Sequence, residues 1–401
     1  MPRGSLLRVL LAQAFSSVGT SVTTVALAVM VFDLTSSVLH MGIVLAASTL
    51  PLVLMSFVGG ALLDRFDARR LMVMADIARA LLIVAMPFAA QRGVGLIYLV
   101  AVLVGCFSAV FNPSQVKLVG DVATPSQLVK ANSYLSIARD GAELGGYLVG
   151  GALVVSLGYF ATFLIDGLTY VVSALLLLGV RGSDQGRQAG VTFVELLGQA
   201  PRAVVSIWRR PALRANLLFA LVPMAFLMMN MPNAYGLALQ VFDKGPAGFA
   251  AMEVITSLGW VAGGILASRL DYQGDRNRYV FWSMAGMAVC YAGVGLSGAF
   301  WISVVFLALA AVANVGLIVG SMTLFQEIEP RPDKGRIIAV RAGFGQVATT
   351  VGLLSGGALG AVVGIRPLFL VAAVGASVTA IVVFASYRAA LAREAEGLGG
   401  C

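Results

Sequence analysis

Five charged residues stand inside stretches that are otherwise almost wholly apolar: Asp76 and Arg79, then Arg139, Asp140 and Glu143. A charge at the centre of a bilayer costs about 2.5–3.5 kcal/mol on insertion scales, so such residues pair with one another or serve a function. Asp76 and Arg79 have the i, i+3 spacing that brings two side chains together on one helix, and a local ion pair is expected. Asp140 and Glu143 share a face in the same way. Two carboxylates this close do not both ionise readily. One of them is therefore a candidate for a group that loads and unloads a proton, with Arg139 or Arg341 as counter-charge. The rival reading is a buried structural ion network. Asp166 and Glu253 are expected near an outer interface and rank below these.

The elements that must hold these residues are membrane helices. The 401 residues are 59% hydrophobic and 11% charged, against about 25% charged in soluble domains, and the mean hydropathy is +0.92. A helix needs about 20 apolar residues to cross the hydrocarbon core. Twelve spans follow, near 7–32, 38–63, 71–91, 94–116, 128–156, 160–180, 212–242, 247–270, 279–298, 301–326, 337–363 and 367–388. The first runs to Phe32, too long for a cleaved signal, and is expected to remain as an anchor. The stretch from Arg181 to Pro211 divides the spans six and six. The expected architecture is all-α: a six-helix bundle over 1–180, a linker over 181–211 and a second bundle over 212–401.

Twenty-one of the 27 Lys and Arg fall in the loops and tails on the side of the N-terminus. This asymmetry orients the chain with both termini cytoplasmic. It also explains the net charge of +8 without nucleic acid. Cys106, Cys290 and Cys401 are scattered, and His40 is the one histidine, so no disulfide framework, metal site or cofactor is expected. There is no GxxxxGK[ST] loop for ATP. An intramembrane enzyme lacks its histidine cluster or nucleophile–base pair.

Glycines recur at intervals of four: Gly141, Gly145 and then Gly146, Gly150 in the fifth span, Gly259 and Gly263 in the eighth, Gly352, Gly356, Gly360 and Gly364 in the eleventh. Such faces let two backbones approach closely, as static packing or as surfaces that slide. Gly59-Gly60 recurs as Gly263-Gly264, and Gly150-Gly151 as Gly356-Gly357, at offsets of 204 and 206. Two six-helix halves built on one plan follow, as in transporters made of parallel repeats. Between them, Thr192 to Arg210 has helical apolar spacing and a basic end with Trp208. It reads as a helix on the inner membrane surface or as a plain linker.

The seventh span carries Pro223, Pro232, a methionine group including Met228, and Asn230 and Asn233. Prolines inside a span are tolerated where a cavity or neighbours satisfy the freed backbone. Methionines adapt to varied apolar surfaces. The group is a candidate for substrate contact, against ordinary core. Thr124 to Gln127 form a capping box at the start of the fifth span, and Asp121 just before it could meet Arg65, Arg69 or Arg70.

The densest charged turn lies between the second and third spans: Asp64, Arg65, Asp67, Arg69 and Arg70 after Gly59-Gly60. The segment Gly60-(x)3-Asp64-Arg65-(x)3-Arg69-Arg70 resembles the loop signature of the major facilitator superfamily. Leu34 to Ser37, Asp76-Ile-Ala-Arg79, Phe111-Asn112-Pro113 and Lys130 to Ser133 are similar to the drug/proton antiporter branch that includes macrolide efflux proteins and the enterobactin exporter. Two features of that branch differ. Gly145-Gly146 stands in place of the glycine-proline of the fifth-span antiporter motif, and 94–116 holds no basic residue. The resemblance implies twelve helices in two pseudo-symmetric six-helix bundles. It also implies a latch, in which Asp64 faces the start of the eleventh helix, with Gly60, Arg65, Arg69, Arg70 and Asp121 around it. It places the first, fourth, seventh and tenth spans along the substrate cavity, hence Gln13, Ser17, Thr20, Asn112, Met228, Asn230, Asn233, Asn314 and Gln326. The implied function is export of an amphiphilic small molecule, a drug or secondary metabolite, against protons, by a monomer in the inner or plasma membrane. A lipid or lysolipid flippase, a siderophore exporter and a transport-dead receptor remain open.

Overall fold

The computed structural model describes residues 3–122, 128–180, 204–205, 207–269, 276–328 and 334–398. No strand occurs among them. A chain this apolar must satisfy its backbone groups within each segment, and in lipid the helix does so. The helices are α1 (Arg3–Thr35), α2 (Val38–Arg65), α3 (Ala68–Arg92) and α4 (Val94–Val122). A continuous run, Leu128–Leu178, is broken at Gly158 into α5 (128–157) and α6 (159–178). Then come α7 (Pro211–Gly236), a π-helical turn (Leu237–Val241), α8 (Gly245–Arg269), α9 (Arg276–Leu296), α10 (Phe300–Ile328), α11 (Lys334–Val363) and α12 (Ile365–Leu398). Among the described residues, ten helical stretches are long and apolar enough to cross a membrane. One of them, Gly141–Leu178, spans the break at Gly158, and α2 contributes the shorter apolar run Val38–Val53.

The turns carry the internal repeat in their backbone angles. Gly158, between α5 and α6, has φ +73°, and Gly364, between α11 and α12, has φ +95°. These joints are 206 residues apart, the offset of the Gly150/Gly356 repeat. Among the described residues, Ser36, between α1 and α2, and Asp243, before α8, are the non-glycine residues with positive φ, both +48°. They lie 207 apart. Left-handed backbone is uncommon outside glycine, so its recurrence at equivalent joints marks a shared plan. Asp67 caps α3 by accepting from the Arg70 N–H at 2.8 Å.

The chain forms two compact units. The first holds α1–α6 together with Lys244–Val254 at the start of α8. Here α1 lies along α5 and α6, α4 packs on α2 and α3, and α3 reaches α6. Gly146 and Gly150 of α5 face Val18, Ser21 and Val22 of α1, and Gly151 faces Ala250. One end is closed by Val9, Met72, Phe111, Leu118 and Leu177. There Arg8 and Arg69 donate to the Gly179 and Val180 carbonyls, the latter at 2.9 Å. Cations on the last carbonyls of a helix complement its dipole, so these basic residues cap α6.

The second unit holds α7, the π turn and the chain from Ile255 onward. Within it α7 packs on α11 and α12, and α9 on α10 and α12, the pairings of the first unit advanced by six helices. Gly352, Gly356 and Gly360 of α11 face Ala225, Met228, Met229 and Asn233 of α7, while Gly259 and Gly263 of α8 face Ala308, Val312 and Val315 of α10. The four-spaced glycines of α11 are thus spent on packing within one unit. Of the linker, 181–203 and 206 lie outside the described residues. Val204, Val205 and Ile207–Arg209 are helical. Ile207 is buried against Leu213, Leu217 and Val340, and Trp208 is exposed.

Candidate functional site

Three charges of the first unit, Asp76, Arg79 and Asp166, meet beside a polar stripe on α6. Asp166, Thr169, Tyr170 and Ser173 fall at i, i+3, i+4 and i+7, one face of a helix, and Asp166, Tyr170 and Ser173 are fully or almost fully buried. Opposite them, α3 supplies Asp76 and Arg79, which form the ion pair expected from their spacing, with exposures of 0% and 3%. Ser173 Oγ donates to Asp76 Oδ2 at 2.6 Å. The Arg79 guanidinium is held between two rings, 4.3 Å from the Phe111 centroid and 4.6 Å from that of Tyr170. Cations over aromatic faces gain further when desolvated. From α1, Thr23 donates to Asp166 Oδ2, and Thr20 Oγ1 lies 3.3 Å from the Tyr170 hydroxyl. Gly19 makes this close approach of α1 to α6 possible, since a Cβ there would strike Thr169 Oγ1 and Asp166 Oδ1.

A second polar group joins α1 to α4. Gln13 Nε2 donates to Ser17 Oγ at 2.8 Å, and Gln115 Nε2 donates to Gln13 Oε1. All three side chains are buried. Of the other expected cavity residues in this unit, Thr20 hydrogen-bonds back to the Ser16 carbonyl at 3.0 Å, and Asn112 is exposed. Hydroxyl and amide groups on α1 and α4 can hold one another in the absence of ligand and offer the same donors to a polar group that enters.

In the second unit the seventh-span asparagines take different parts. Asn233 Nδ2 donates to Met229 O at 3.0 Å and to Gly356 O at 2.9 Å, tying α7 to the glycine face of α11. It is fully buried, and its donors are spent on backbone, which is the work of a clamp between helices. Met228 lies in the same contact, its Cβ close to Gly352. Asn230 is buried beside Tyr291, and its Nδ2 bonds the Phe226 carbonyl at 3.1 Å. Asn314 of α10 is buried, with no hydrogen-bond partner for Nδ2 among the described residues. Arg341 of α11 donates to Ser321 Oγ at 3.0 Å and to Met322 Sδ at 2.7 Å, so its guanidinium faces α10.

Among the remaining expected residues, Arg139 is exposed and Glu143 half-buried. The side chains of Asp140, Gly60, Asp64, Arg65, Asp121 and Gln326 lie outside the described ones. Arg70 is exposed, and Arg69 is engaged at the end of α6. Sequence reasoning passed over Gln115, Tyr170 and Ser173, and it set Asp166 at an outer interface. The fold buries Asp166 completely among α1 and α6 hydroxyls. The signal available in the sequence was the i, i+3, i+4, i+7 polar stripe in an apolar span.

Known proteins resemble the chain along its length. The multidrug efflux pump Tap of Mycolicibacterium fortuitum is 27% identical over 391 residues, covering 92% of each chain. A putative bacilysin exporter, BacE of Bacillus subtilis, is 23% identical over 249 residues, about 60% of each. Among solved structures, a bacterial homolog of the human lysosomal transporter Spinster superimposes with a TM-score of 0.76, over 96% of this chain and 97% of that one, at 16% identity. The nucleoside transporter NupG gives 0.77, over 95% and 99%, at 15% identity. The model of the Major Facilitator Superfamily matches residues 9–272. The apolar helices, the repeated joints and these likenesses agree: the chain is a multi-pass transporter, not an enzyme, and it belongs to the major facilitator superfamily.

Proposed function

We propose that this transporter exports amphiphilic small molecules in exchange for protons, its binding site opening in turn to either side of the inner or plasma membrane. The observation that carries the reading is the likeness to a multidrug efflux pump over 92% of both chains. The buried acid–base cluster of the first unit supports the proton half, because a carboxyl in a dry helix bundle is a place where a proton can be held and released. The polar residues Gln13, Ser17 and Thr20 on α1, Asn112 on α4, Asn230 on α7, and Asn314 and Gln326 on α10 orient the substrate, and Met228 gives it an apolar contact. The charged turn, with Gly60, Asp64, Arg65, Arg69, Arg70 and Asp121, acts as a conformational latch. The two halves, 1–180 and 212–401, move as bundles joined by 181–211. The working unit is a monomer with both termini cytoplasmic.

The test is flux of ethidium in proteoliposomes, with and without an imposed pH gradient and with the membrane potential clamped. Accumulation that follows the gradient supports proton antiport. Flux that ignores the gradient, or no ethidium flux at all, overturns the reading.

A further inference from the structure

The buried cluster of the first unit contains two acids and one base. Asp76 and Arg79 neutralise each other as an ion pair. Among the described residues Asp166 has no ion pair of its own. Its side-chain partners are Thr23 and Thr169, and its nearest cation is the same Arg79. From α3, Asp76 and Arg79 face the cluster. From α6 itself Tyr170 does so, lying near both acids, and α1 contributes only the hydroxyls of Thr20 and Thr23. With both carboxyls ionised the cluster carries a net negative charge in a setting that cannot solvate it. With one proton bound it is neutral.

The hydroxyls around Asp166 suit it charged or neutral. Thr169 Oγ1 donates to the backbone carbonyl of Asp166 at 2.8 Å and lies 3.4 Å from Asp166 Oδ1, where it can donate to a carboxylate or accept from a carboxyl. Thr23, on the other oxygen, can donate to an ionised carboxylate and accept from a protonated one. A hydroxyl shell therefore serves both states, which a fixed cation would not. The Arg79 Nε has no hydrogen-bond partner among the described residues, so the guanidinium keeps a donor in reserve.

We propose that Asp166 is the carboxyl that takes up and releases the coupling proton, with Arg79 shared between Asp76 and Asp166 when that proton has left to water. The proposal rests on the proton-antiport reading above and replaces Asp140 and Glu143 as the site of coupling. Loading leaves Arg79 wholly on Asp76. Unloading draws it toward Asp166, and because α1, α3 and α6 all meet at this point, the shift alters their packing.

Two measurements decide it. Infrared difference spectra of the full protein in lipid, taken across a pH titration, report the carbonyl stretch of a protonated carboxyl without any transport. That band is expected in the wild type and lost in Asp166→Asn, whereas Glu143→Gln keeps it. A band that survives in Asp166→Asn overturns the assignment. In proteoliposomes, Asp166→Asn is expected to lose gradient-driven ethidium accumulation while retaining gradient-free exchange, and Asp166→Glu, which keeps an acid, is expected to recover driven flux. Full accumulation by Asp166→Asn overturns the proposal. A wild type that ignores the gradient while the band depends on Asp166 overturns antiport and leaves Asp166 a structural acid. Circular dichroism of both variants separates a lost fold from a lost proton.

Discussion

Substituting Gly356 by alanine tests whether the glycine face of α11 is fixed packing. A Cβ at that position would lie 2.7 Å from the Met229 carbonyl carbon and 2.8 Å from its Cα, closer still to its carbonyl oxygen. These are backbone atoms and cannot rotate away, so α7 and α11 must part. Overpacking of this kind costs about 1–3 kcal/mol. The move also stretches the 2.9 Å bond from Asn233 to the Gly356 carbonyl. For a unit of this size each kcal/mol lowers the melting temperature by about 2–4 °C, so the loss should be about 2–12 °C. The comparison is Gly145→Ala on α5, where nothing lies within 4 Å of the added carbon. There alanine only improves helix propensity, by up to about 1 kcal/mol, and the melting point should hold or rise. Tryptophan fluorescence during heating of the purified protein in detergent reads both. In sequence the two glycines sit in the same kind of four-residue repeat. Equal melting points for the two variants, or a loss at Gly145 alone, would refute the packing argument.

Three further outcomes follow from particular contacts. Asn233→Ala removes both bonds that tie α7 to its own turn and to α11, and should cost about 1–3 kcal/mol, seen as a lower melting point with the protein still in the membrane. An unchanged melting point would return Asn233 to the list of substrate contacts. Arg79→Met leaves the Asp76 carboxylate buried without its cation, which costs about 3–5 kcal/mol. The Asp76→Asn/Arg79→Met double variant should recover most of that stability, and a double variant no better than the single one would exclude the ion pair as the cause. With Cys106, Cys290 and Cys401 replaced by serine, Arg92→Cys should react with an impermeant maleimide on intact cells, and Arg209→Cys only after lysis. The reverse pattern would invert the orientation.

The helices were legible in the sequence because each rule that sets them is local. Apolar length, proline and glycine at the joints, and the side on which arginines collect are read without knowing what touches what. Even the break between the fifth and sixth spans, placed between 156 and 160, falls at Gly158. Contact partners are another matter. Gly352 and Gly356 announce that a backbone comes close, but not whose, and the partner proves to be α7 of the same unit. Arg69 announces a charged turn, but not that its guanidinium reaches the Val180 carbonyl, 111 residues away.

Asp166 shows the limit most clearly. Charges were grouped by their spacing along a single helix, which finds Asp76 with Arg79 and favours Asp140 with Glu143. Asp166 has no charged neighbour one turn away, so that method sets it aside. Its donor Thr23 is 143 residues distant in the chain, and Ser173 reaches Asp76 over 97. Bilayer physics offers a better rule. A polar side chain on a span avoids lipid by facing a neighbouring helix, so stripes of polar residues on separate spans are addressed to one another. Gly19, Thr20 and Thr23 form such a stripe on α1, Asp76 and Arg79 on α3, and Asp166, Thr169, Tyr170 and Ser173 on α6. Matching stripes across spans, instead of charges within one, brings two acids and one base together, and that imbalance calls for a proton.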